Sequence, residues 1–189
     1  MVDNHNHASH WVSKVIDTNW PISISNPLLA SVIWFGTLPN ISFILLLIFQ
    51  PRQLPSDFFV PIFFGVLWLN IGPSLIWYYD EEVLPNFFND LGEVIKNEER
   101  INSLNKKYDN IFSDKYWIPT LIWLILLIGL FFFSQSFIAR EGLFEIGGLF
   151  YFIYLLSVIW LGVFTGIGFM GVITTVLAIR EISKYPLHI

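Results

Sequence analysis

The chain has 189 residues, of which 54% are hydrophobic, 18% aromatic and only 13% charged, about half the charge of an ordinary soluble domain. A net charge of −5 provides no basic face for nucleic acid, and without cysteine there is no disulfide framework, thiolate zinc site, thiol nucleophile or iron–sulfur ligation. The first 25 residues lack the basic, apolar and small-residue sections of a cleavable leader, so none is expected.

The N-terminal tail, residues 1–26, opens with DNHNHASH. His5, His7 and His10 stand two and three residues apart, a spacing that suits a borderline metal such as Zn²⁺ or Ni²⁺. Nothing beside them fixes a geometry, and an incidental histidine tract is the plainer reading. Next, WVSKVIDTNW sets Trp11, Val12, Val15, Ile16 and Trp20 on one helical face and Ser13, Lys14, Asp17 and Thr18 on the other. That pattern predicts a short amphipathic helix lying in a membrane surface, the alternative being a disordered tail.

Four apolar stretches follow, each long enough to cross the hydrocarbon core at about 20 residues per span. They are Pro27 to Phe49, Phe58 to Tyr79, Trp117 to Ala139 and Gly147 to Ile179, and none holds an Asp, Glu, Lys, Arg or His. Buried strands are shorter, and barrel strands alternate apolar with polar residues. The expected fold is therefore an all-α integral membrane protein: one transmembrane hairpin at 27–79, a cytoplasmic helical loop at 80–116, a second hairpin at 117–179 and a tail at 180–189. Lysine and arginine set the orientation. Eight of them (Lys14, Lys96, Arg100, Lys106, Lys107, Lys115, Arg180 and Lys184) fall on one side, against Arg52 and Arg140 on the other. By the positive-inside rule both termini and the long loop are cytoplasmic.

Spans one and two each carry a proline and an amide near mid-membrane: Pro39 with Asn40, and Asn70 with Pro73. The amides either bridge the helices by hydrogen bonds or line a polar pocket. In the loop, Phe87, Leu91, Val94, Ile101, Tyr108 and Phe112 mark a heptad stripe, expected to form an amphipathic helix, either unbroken or broken near Asn102–Asn105. Pro85 suits its first turn, and the mixed charges around it suit a solvated face.

The fourth span is too long. Its 33 residues reach about 50 Å, against a core of about 30 Å. Either the helix breaks at Gly166–Gly171, or its last turns project into the cytoplasm and pack on the loop helix. Gly162 and Gly166 form a small-xxx-small pair beside Thr165, with Gly168 and Gly171 extending the smooth surface. They are expected to allow close packing with a neighbouring span or another copy; the alternative is a hinge lining a pathway.

No ionisable group lies within the spans, and no phosphate loop, dinucleotide fingerprint or potassium-filter motif occurs. The pattern points away from catalysis by this chain alone and implies no cofactor. It favours a helix-packing or assembly module whose partners are the lipid bilayer and either its own copies or another membrane subunit. The alternative is a subunit of an oligomeric channel or small-solute transporter. The last stretch, LGVFTGIGFMGVITTVLAIREISKYPLHI, resembles a segment of uncharacterised polytopic membrane proteins of archaea and bacteria. In those proteins a glycine-rich span and basic turn precede a His-Pro-Asp…Gly-Gly-Leu stretch and further spans; here Arg180 to Lys184 form the turn, followed by Pro186, Leu187 and His188. The resemblance implies no activity, but implies that the chain is the N-terminal part of something longer.

Overall fold

The computed structural model describes residues 10–18, 23–49, 56–94, 98–133 and 148–184. Within these the structure is helical, with no strand. Four of its helical stretches, Pro27–Leu45, Ile62–Leu91, Glu99–Leu130 and Leu155–Ile182, are long and apolar enough to cross a membrane. His5, His7, Trp20, the 134–139 end of the third expected span and Gly147 lie outside the described residues.

Helix α1 spans Trp11–Ile16. Helix α2 (Pro27–Ser31) starts on Asn26, whose side chain accepts from the backbone N–H groups of Leu28 and Leu29 at 2.9 and 3.1 Å, with Pro27 in the first turn. It runs through a π-helical turn, Val32–Gly36, into α3 (Thr37–Phe49). The wider turn precedes Pro39, which has no N–H for the carbonyl four residues back. Helix α4 (Ser56–Tyr78) passes through a second π turn, Tyr79–Val83, into α5 (Leu84–Val94). Helix α6 (Glu98–Lys115) leads through a turn at Tyr116 into α7 (Trp117–Phe133). Pro119 cannot donate to the Lys115 carbonyl, and that missing bond accounts for the break.

The loop thus continues the flanking helices rather than forming a separate helix. Among the described residues α5 ends at Val94 and α6 starts at Glu98, and Asn102–Asn105, one place considered for a break, sit inside α6. A run of polar residues does not stop a helix that has an apolar face to bury.

Helix α8 (Gly148–Ile182) is unbroken for 35 residues through Gly162, Gly166, Gly168 and Gly171, which excludes the broken-helix alternative. It is the central element, packing on α7, α4, α3 and α6. One core cluster joins Val12, Ile16, Ala30, Phe35, Leu69, Ile76, Phe112, Phe164, Ile167 and Met170. A second joins Leu84, Phe88, Ile101, Leu104 and Tyr108 to Ala178 and Ile182.

The tail helix differs from expectation. Val12, Ser13 and Ile16 are fully or almost fully buried in the first cluster, so the apolar face of α1 is covered by protein and not turned outward. Trp11 packs against Phe35, Trp160 and Phe164 at ring separations of 6.1–6.2 Å. A short amphipathic helix signals a need for apolar cover without saying whether lipid or protein supplies it.

Candidate functional site

The α7–α8 contact sets the register of the bundle. A Cβ on Gly166 would overlap the Thr120 backbone, lying 2.6 Å from its nitrogen, and one on Gly162 would meet Leu124 and Leu127 at 3.0 Å. The small-xxx-small pair is therefore fully used by the neighbouring helix of the same chain. Leucine at either position tests folding rather than contact with another copy.

With Thr120 opposite Gly166, the first residue of α7 is level with about residue 169 of α8. The next turns of α8 lie beside α6: Phe112 approaches Gly171, and the Tyr108 hydroxyl donates to the Leu177 carbonyl at 3.0 Å and the Glu181 carboxylate at 2.5 Å. Lys107 pairs with the same carboxylate at 2.5 Å. Residues 171–182 thus overhang the start of α7 by about 18 Å.

Helix α6 covers only one face of this overhang, through Gly171, Ala178 and Ile182. The expected packing of loop helix on last turns is present, but uses these residues and not the face of Val172, Ile173, Val176, Leu177 and Ile179. Val172, Val176 and Ile179 stay 61%, 58% and 53% exposed. With Phe169 above them they form a 4-3-4-3 pattern, Thr165-Phe169-Val172-Val176-Ile179, along one side of α8. The upper part of this stripe floors a groove between α4 and α7. The groove comprises two apolar cavities of about 410 and 580 Å³ that share Trp68, Gly168 and Val172. Gly168 faces Trp68 at 3.6 Å, with room for a methyl group.

The mid-helix amides find each other. Asn40 Nδ2 donates to Asn70 Oδ1 at 2.9 Å, Asn70 Nδ2 donates to Asn40 Oδ1 at 2.8 Å, and Asn70 also reaches the Val66 carbonyl at 2.7 Å. Gly36 makes room, since a Cβ there would meet the Asn70 amide. Ser31 Oγ donates to the Asn70 carbonyl at 2.5 Å. This is the bridging arrangement, with the amides' polarity spent on each other. Thr165 sits apart on the groove wall.

A further polar node was not visible in the sequence. Asp80, in the second π turn, is fully buried, and its Oδ2 accepts from the His10 backbone N–H at 2.8 Å and from Ser13 Oγ at 2.6 Å. Trp77 Nε1 donates to Asp17 at 3.0 Å. His10 caps α1, its Nδ1 accepting from the Val12 N–H at 3.3 Å. Its ring is caged by Tyr116, Phe112 and Trp11 at 4.6, 5.3 and 5.8 Å. Burial pushes the imidazole down to about 4, against a smaller upward pull from Asp80. Of the three histidines considered as metal ligands, His10 is thus a neutral cap in an aromatic cage. Among the described residues no three acidic, histidine or cysteine side chains gather as a metal site would need. The sequence hinted at this node only through Asp80, an acid at a helix end with no adjacent cation, while Ser13 read as part of a solvated face.

Compared with protein families, curated proteins and solved structures, the chain matches none of them.

Proposed function

We propose that the chain is a four-span integral membrane protein, with both termini and the 80–116 segment in the cytoplasm, that acts by association rather than catalysis. The observation that carries this reading is the bare stripe Val172-Val176-Ile179 on the overhang of α8. Exposed apolar residues on the long helices, such as Ile48, Phe64, Ile125 and Leu130, are what lipid covers. The overhang is different, because α6 beside it exposes Glu99, Arg100, Lys106 and Lys107 and belongs in water. Its three exposed apolar turns therefore call for a protein partner.

The partner is a second copy. Two copies in one membrane share an orientation, so their overhangs run parallel and meet about an axis along the bilayer normal. A 4-3 spaced stripe with Val and Ile is self-complementary in that geometry. The mid-helix amides of the first two long helices are tied to each other in the Asn40–Asn70 pair, which supports packing over a conducting path.

Because the chain has no cysteine, Val176→Cys is a clean probe. Oxidation in native membranes should give a covalent dimer, while Leu126→Cys, on the lipid-facing side of α7, should not. Val176→Glu should leave the fold intact and abolish the dimer. A monomer in membranes at all protein densities would overturn the reading. Trapping of Val176→Cys only to a different protein would keep association and replace the second copy by another subunit.

A further inference from the structure

Among the described residues helix α1 is held in the bundle by few polar bonds, most of them at its N-terminal end. The Asp80 carboxylate takes the His10 backbone N–H and the Ser13 hydroxyl, while His10 Nδ1 takes the Val12 N–H in the first turn of the helix. The remaining attachment is the hydrogen bond from Trp77 Nε1 to Asp17 at the other end of α1 and apolar packing, in which Trp11, Val12 and Ile16 fill the space among Phe35, Phe164 and their neighbours. That same face is the one a membrane surface would accept. Two environments can therefore cover α1, the bundle or the bilayer interface.

We propose that α1 is an acid-released latch, docked in the bundle while His10 is neutral and transferred to the membrane surface when His10 is protonated. The geometry makes His10 the lever. Nδ1 serves as an acceptor, so a proton there removes the cap and sets two donors against each other. The charge would also stand at the positive end of a helix, inside a cage of three aromatic rings, with Nε2 lacking a hydrogen-bond partner among the described residues. The charged or titratable groups around it are Asp80 from the π turn, Lys14 from α1 and Tyr116 from the turn before α7; α6 presents Phe112. Asp80 favours the cation and Lys14 opposes it, and burial outweighs both. The free helix would titrate near pH 6.5 and the docked one near 4. Stabilisation of docking is thus complete above pH 6.5 and falls as pH drops towards 4, the docked-to-released ratio decreasing about tenfold per pH unit.

The latch rests on membrane insertion but not on self-association, and the test separates them. Spin labels on Lys14→Cys and Lys106→Cys, both exposed, report α1 against α6 in lipid nanodiscs. A second pair, Lys106→Cys with Ser183→Cys, reports α6 against α8 regardless of α1. Between pH 7.5 and 4.5 the first pair should gain a longer, reversible distance population while the second stays fixed. His10→Asn, which keeps an acceptor for the Val12 N–H but takes no proton, should flatten the response. An unchanged first pair overturns the latch. Both pairs shifting together means acid unfolding and overturns it too, as does a response that survives in His10→Asn. Failure to enter nanodiscs at all would refute the membrane reading instead.

Discussion

Two faces of α8 put small and branched residues to opposite uses. Towards α7, Gly162 and Gly166 let the backbones approach until nothing more fits. On the neighbouring face, Gly168 and Val172 border a groove whose walls are set apart by Trp68 of α4 and Trp123 of α7, and Val176 borders the adjoining cavity. Both faces look alike on a helical wheel, as a mixture of glycine, valine and phenylalanine. The comparison teaches that glycine marks close packing only where another backbone arrives, which depends on the register of the neighbouring helix.

Substitutions ranked by what an added methyl meets sharpen this contrast. Gly166→Ala should be the most damaging, because the Thr120 backbone cannot move aside without parting α7 from α8; a loss of about 3 kcal/mol is expected in thermal unfolding followed by circular dichroism. Asn70→Ala, on the α3–α4 side, should cost about 1–2 kcal/mol in the same assay, since Asn40 loses its donor and its acceptor together. Gly162→Ala should cost about 1 kcal/mol, for the atoms it meets are the ends of Leu124 and Leu127, which can turn away. Gly168→Ala should be neutral within about 0.5 kcal/mol, its Cβ standing in ordinary contact with Trp68. Equal losses at positions 166 and 168 would mean that the groove is closed and that the two faces do not differ.

The four long apolar helices were legible because length and the absence of charge decide them locally. The Asn40–Asn70 bridge was legible as one of two choices, since an amide among apolar helices needs a partner and each helix supplied one. Other features were not. The loop heptad identified Ile101, Tyr108 and Phe112 correctly as buried, but missed Leu84, Phe88 and Leu104, because the helix axis is set by where α5 and α6 meet α8. The stripe expected to cover the loop helix is left bare, since Gly171 and Ala178 admit α6 more closely than Ile173 and Leu177 would. For α1, residue spacing identified the apolar face correctly but supplied no address for it.

By itself, then, the sequence determined the helical class, the long apolar stretches, the charge asymmetry between their ends and the excess length of the last helix. These follow from residue type and spacing along one chain. Only the tertiary structure decided that the excess projects as a straight overhang, that α1 docks against Asp80, and that glycines four residues apart serve an internal contact. Those outcomes depend on which face of one helix meets which turn of another. An apolar surface specifies that it must be covered, and packing geometry selects what covers it.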